Sequence, residues 1–167
     1  MSKKNRELLH VLSWIAFIIY LILMVYFLFF CEQLGRTPSD RYHYNLKPFT
    51  EIKRYVNHIE EIGYFGVALN LFGNVVCFMP LGFVLPILSR RKWGVIRITI
   101  VSCLASFVVE VVQLVTKLGS CDVDDIIMNT LGGLLGYILF ALCSKIYRTT
   151  VRKRKSSKEL FVPEKKG

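Results

Sequence analysis

A chain of 167 residues that is 53% hydrophobic and carries a net charge of +10 does not have the composition of a soluble globule. Its basic excess accompanies no nucleic-acid recognition motif and no Gly-rich nucleotide loop, so those two classes of function are excluded first. The five cysteines show no metal-ligand spacing.

Taken in chain order, residues 1–10 form a cytoplasmic N-terminus in which Lys3, Lys4 and Arg6 precede an apolar run at 11–30. That run is too long for the core of a secretory signal and no small-residue cleavage site follows it, so an uncleaved anchor is expected. Next comes the largest connecting segment, from Cys31 to Tyr64. In its second half Phe49, Ile52, Tyr55, Val56, Ile59 and Ile62 recur with helical periodicity opposite Lys53, Arg54, Asn57, Glu60 and Glu61. Pro48 is placed to open this amphipathic helix and Gly63 to end it, and its natural location is the outer membrane interface.

Apolar runs at 65–88, 94–115 and 126–146 follow. At about 1.5 Å per residue each can cross a hydrocarbon layer of roughly 30 Å. The fold class is therefore an all-α integral membrane protein, with a four-helix domain over residues 11–147 and a basic cytoplasmic tail over 148–167. Of the 22 Lys and Arg residues, 16 fall in the N-terminus, the second connection with the adjoining Arg97, and the stretch from Lys145 onward. The positive-inside rule then places both termini in the cytoplasm. The run from Arg152 to Lys158 suits anionic lipid headgroups, and residues 159–167 are expected to lack order.

Within the spans some residues are unexpectedly polar. The second carries Asn70 and Asn74, four apart, before Pro80, Gly82 and Pro86; the third carries Ser106, Glu110 and Gln113. The fourth begins at its mouth with Asp122-Val123-Asp124-Asp125, and a helix starting there stacks Asp122, Asp125 and Asn129 on one face. The charge-based topology gathers all of these in the outer half of the bundle, which points to one outward-facing polar pocket. A carboxyl at the depth of Glu110 costs about 2.5–3.5 kcal/mol on insertion scales unless it faces protein or water. The simpler alternatives stay open: acids at a helix start cap it, and Asn, Gln and Ser bond neighbouring helices. Asp124 is expected to face solvent. Lys117 is the nearest cation to the acids, a disulfide between Cys31 and Cys121 is conceivable, and His10, His43 and His58 read as surface residues.

Five segments together resemble the VanZ family, small bacterial membrane proteins named for a teicoplanin resistance determinant. They are Asn45-Leu-Lys-Pro-Phe49, Asn74 to Gly82, Glu110-Val-Val-Gln113, Asp122 to Asp125, and Asn129-Thr-Leu-Gly-Gly133. Many relatives place an Arg just before the acidic motif, where this chain has Gly119-Ser120-Cys121. The resemblance implies a multi-pass protein of the bacterial cell membrane that reduces susceptibility to teicoplanin-type lipoglycopeptides.

In one reading Glu110, Asp122 and Asp125 act on an outer-leaflet amphiphile, as in a hydrolase or transferase. Asn45, Asn74, Gln113 and Asn129 would then bind it. The ligand would be a lipid-linked cell-wall intermediate or the drug. No cofactor is evident, although Asp122 and Asp125 could hold a divalent cation. A non-catalytic scaffold or sequestering module for envelope machinery is the competing reading. A transporter is weaker still, since the four spans show no inverted repeat.

Overall fold

The structure, a computed structural model, describes residues 3–30, 42–89 and 93–160. Cys31, the cluster Arg90-Arg91-Lys92 and the end of the tail lie outside these residues. The elements run α1 (Lys3–Phe30), β1 (Tyr44–Asn45), α2 (Thr50–Asn57), α3 (Ile59–Ile62), α4 (Tyr64–Leu88), α5 (Val95–Thr116), β2 (Cys121–Asp122) and α6 (Val123–Leu160). Four helices are long and apolar enough to cross a membrane, over His10–Phe30, Tyr64–Leu88, Val95–Thr116 and Val123–Arg152.

The burial pattern is that of a membrane bundle. Large apolar side chains cover the outside, with Ile22, Phe72, Ile96 and Val115 all at least 64% exposed, whereas Ser102, Ser106, Glu110, Gln113 and Asn129 are 0–1% exposed within it. Lipid solvates the first set and must be kept from the second. A smaller apolar core joins Phe17 and Leu28 of α1 to Phe78, Leu81 and Leu88 of α4.

The tightest contact is between α4 and α6. A Cβ on Gly132 would collide with the backbone carbonyl of Val75, and one on Gly136 with that of Met79. This pair of glycines four apart lets two backbones touch, the small-residue solution to helix packing where no hydrophobic effect drives association. The pairing of 75 with 132 and 79 with 136 makes α4 and α6 parallel. α5 lies antiparallel to α6, with Ser106 opposite Asn129 and Glu110 opposite Asp122. The first helix is tied on by two bonds: the Tyr20 hydroxyl donates to the Cys77 carbonyl at 2.7 Å and Gln113 Nε2 to the Leu28 carbonyl at 2.7 Å.

Three boundaries differ from the sequence reading. The helix expected between Pro48 and Gly63 is divided at His58, whose backbone leaves helical geometry (φ −112°, ψ 29°). The last helix begins at Val123, three residues before the apolar run at 126–146, with Asp124 and Asp125 on its first turn and Asp122 immediately before it. Its C-terminal end runs on as helix to Leu160, carrying the basic segment as a continuation of the span. A short parallel pairing, Tyr44 with Cys121 and Asn45 with Asp122, was also unforeseen. Two residues per strand carry too little pattern to be read from sequence.

Candidate functional site

At the end of the bundle where α5 finishes and α6 starts, each acid of the motif holds a different element. Asp122 stands before α6, and its Oδ1 accepts the Asp124 N–H at 2.8 Å, a side-chain cap on the first turn. The same oxygen accepts Asn45 Nδ2 at 3.2 Å, which locks β1 against β2. Asn45 Oδ1 in turn accepts the Lys47 N–H at 3.1 Å and shapes the turn toward Pro48. From α5, Glu110 Oε2 accepts the Asp122 N–H at 2.8 Å. Asp125, on the first turn of α6, accepts Asn74 Nδ2 from α4 at 2.6 Å.

Asp124 corrects the sequence reading. It is not on a solvent face but 2% exposed. Its Oδ1 accepts the Phe49 N–H at 2.5 Å, and its Oδ2 accepts those of Glu51 at 2.9 Å and Ile52 at 3.2 Å. These are N–H groups at the start of α2, where Phe49 adopts a left-handed conformation (φ 64°) and offers no side-chain cap. The anion sits where the helix dipole and the unpaired donors favour one. A capping residue 75 positions away leaves no local signal, so only the whole fold reveals it.

Glu110, Asp122 and Asn45 are thus joined by hydrogen bonds, Asn74 and Asp125 form a second pair beside them, and Ser106 with Asn129 forms a third deeper in the bundle through a 2.8 Å bond. Gln113 is directed elsewhere: its amide nitrogen satisfies a carbonyl of α1. Asn70 bonds the Gly66 carbonyl of its own helix at 2.8 Å. The Lys117 ammonium lies 4.8 Å from the centre of the Tyr42 ring. Cys121 is a free, half-buried thiol.

Burial, and then the charges of Asp125, Asp124 and Glu51, raise the Asp122 carboxyl to about 6, against a lowering by its bond from the Asp124 amide. Burial also pushes the Cys121 thiol up, helped by Glu110, Asp122 and Asp125. Tyr55 of α2 is raised by burial first and by the charge of Asp125 among lesser causes, which places its ring within the field of the site. That tyrosine was read from sequence only as part of an apolar face.

Among the described residues no group of three or more His, Cys, Asp or Glu side chains is placed to hold a metal ion. The donors that meet Asp122 and Asp125 are instead the amides of Asn45 and Asn74 and the Asp124 N–H. Around the network large side chains are exposed: Tyr44 at 68%, Leu46 at 69% and Phe49 at 53%. The arrangement offers buried carboxyl groups, that of Asp122 raised to about 6, beneath an apolar and aromatic platform.

Comparison with known proteins adds a lineage. The family described as VanZ/LLP1 matches residues 17–144. A curated relative, Protein VanZ of Enterococcus faecium, is 28% identical over 130 residues, covering 76% of this chain and 72% of that protein. No solved structure matches the chain.

Proposed function

The chain belongs to the VanZ/LLP1 family, and from that premise we propose that it is a bacterial cell-membrane protein that lowers susceptibility to teicoplanin-type lipoglycopeptides. In this reading both termini are cytoplasmic and the acidic network faces outward, since the Lys and Arg residues concentrate at the opposite end. The helices α2 and α3 lie in the outer interface beside the exposed rings of Tyr44, Phe49, Tyr64 and Phe65.

One observation carries the assignment of the site. The carboxylate of Glu110, 1% exposed in a membrane-spanning helix, meets the backbone of Asp122 at the mouth of the next helix. An acid at that position is costly, and the family resemblance falls on the same residues. The site recognises an outer-leaflet amphiphile, a lipid-linked cell-wall intermediate or the drug itself. Tyr44, Leu46 and Phe49 meet its apolar part, Asn45 and Asn74 orient its polar part, and Asn129, buried against Ser106, supports them from within the bundle. If it also modifies the ligand, Asp122 is the group whose titration near neutrality suits proton transfer, with Glu110 and Asp125 beside it.

A second reading, a non-catalytic scaffold or sequestering module, is favoured by the way Glu110, Asp122, Asp124 and Asp125 all accept bonds from within the chain. Expression in a susceptible Gram-positive host separates the two. With Glu110→Gln and Asp125→Asn accumulating at the wild-type level, loss of teicoplanin resistance supports a site that works through its carboxylates. Undiminished resistance in both variants would leave those acids with a holding role only. Vancomycin sensitivity measured in parallel reports whether the lipid tail of the drug matters.

A further inference from the structure

The opposite end of the bundle holds a cavity of about 710 Å³ that the acidic network does not use. α4 stops at Leu88 while the neighbouring α6 runs on, and among the described residues a flank of α6 beyond Pro86 is uncovered. Trp93 and Tyr137 form its aromatic wall, and the Tyr137 hydroxyl donates to the Trp93 carbonyl at 3.1 Å, holding the α4–α5 connection against α6. Lys145, Arg148 and Arg152 line it from one side of α6, spaced three and four apart and therefore on one helix face. Ser144 adds a hydroxyl beside them, whereas the Thr149 hydroxyl donates to the Lys145 carbonyl of its own helix, and among the described residues no carboxylate lines it.

A second, largely apolar cavity of about 280 Å³, lined by Trp93, Arg97, Ile100 and Val101, shares Trp93 with the first. The indole thus stands between a cationic recess and a groove on the lipid-facing flank of α5, where Ile100 is 52% exposed.

We propose that this paired recess is a binding site for an anionic lipid whose headgroup ends in a phosphate monoester. The phosphate is held by Lys145, Arg148 and Arg152, and an acyl chain passes Trp93 along Ile100. Three cations and the Ser144 hydroxyl match a dianion with three acceptor oxygens better than a singly charged diester, and guanidinium groups grip such oxygens in pairs. A polybasic helix alone would attract anionic lipids without discrimination. The aromatic wall and the adjoining groove are what select a phosphate carried on a hydrocarbon chain over a free phosphate ester. The site depends neither on which side of the membrane it faces nor on the role of the acidic network.

The chain has two tryptophans, so a Trp14→Phe background, at a residue 45% exposed, leaves Trp93 as the reporter. The protein is reconstituted in phosphatidylcholine vesicles containing a minor fraction of a lipid with brominated acyl chains. Brominated phosphatidic acid should quench Trp93 on the order of threefold more than brominated phosphatidylglycerol or phosphatidylcholine at the same fraction. Replacing Lys145, Arg148 and Arg152 together by Gln should bring phosphatidic acid down to the phosphatidylcholine level, while Arg148→Lys keeps most of the difference. These cations are on exposed turns of α6, so their loss does not threaten folding. Equal quenching by the three lipids, or an unchanged preference in the triple variant, overturns the proposal. Release of the phosphatidic acid quenching by millimolar inorganic phosphate overturns the lipid assignment and gives the recess to a soluble phosphate ester.

Discussion

The carboxylate of Asp124 accepts the backbone N–H of Phe49 at 2.5 Å, joining the first turn of the last helix to the first turn of α2. With Glu51 and Ile52 also bonded to it, one buried aspartate organises the start of a helix that has no cap of its own. Asp124→Ala should therefore release α2, at a cost of about 2 kcal/mol for the lost cap and charged hydrogen bonds. Lys53 and Arg54 lie on α2, so limited trypsinolysis reads the release directly. Cleavage there at the wild-type rate would mean that Asp124 does not hold the segment.

Gly132 and Gly136 carry the backbone contact of α6 with α4. A Leu at position 132 must push the Val75 carbonyl away, and such overpacking typically costs 1–3 kcal/mol or about that range more in a backbone contact. Gly132→Leu should separate Asn74 from Asp125 and reduce the amount of folded protein extracted from membranes. Wild-type yield and melting behaviour with this substitution would contradict the packing argument.

The Asp122 carboxyl titrates at about 6 in the folded chain and at 3.8 when unperturbed. Its folded-state value is raised, so the native state holds the proton more tightly. The stability this contributes is full below pH 3.8 and is lost as pH rises through about 6. Asp122→Asn keeps an oxygen for Asn45 and for the Asp124 amide but removes the charge. Across that window the wild-type melting temperature should fall relative to the variant and then run parallel to it at higher pH. A constant difference between the two proteins from pH 4 to pH 7, measured by circular dichroism in detergent, would show that Asp122 is not the titrating group.

Gln113 closes the contact between α5 and α1 by donating to the Leu28 carbonyl at 2.7 Å. That carbonyl belongs to the last turn of α1, where helical partners run out. Gln113→Leu should leave it buried and unpaired, a penalty of about 1–3 kcal/mol. Cysteine pairs placed across α1 and α5 should then cross-link less efficiently than in the parent. Unchanged cross-linking would remove Gln113 from the set of residues that dock α1.

Long apolar runs marked all four spanning helices in the sequence, because lipid demands about 20 apolar residues and little else resembles that demand. The polar residues that matter were also visible, because Asn74, Glu110 and Asn129 are out of place in such runs. Their partners were not. Asp124 looked like a surface acid beside Asp125, and its true environment depends on a loop that begins more than 70 residues earlier. Ser106 was legible as a polar residue in a span but not as the acceptor for Asn129.

Membrane insertion, the number of spans and the family thus follow from one-dimensional pattern, since hydropathy and motif spacing act residue by residue. The division of labour among the acids does not, because a carboxylate is defined by what it accepts. Folding brings Asn45 to Asp122, Asn74 to Asp125, the Phe49 amide to Asp124 and Asp122 itself to Glu110. The first three pairings join segments set side by side by the glycine contact of α4 with α6 and by the β1–β2 register, the last joins α5 to β2, and hydrogen bonds a few ångströms long are decided only by such placement.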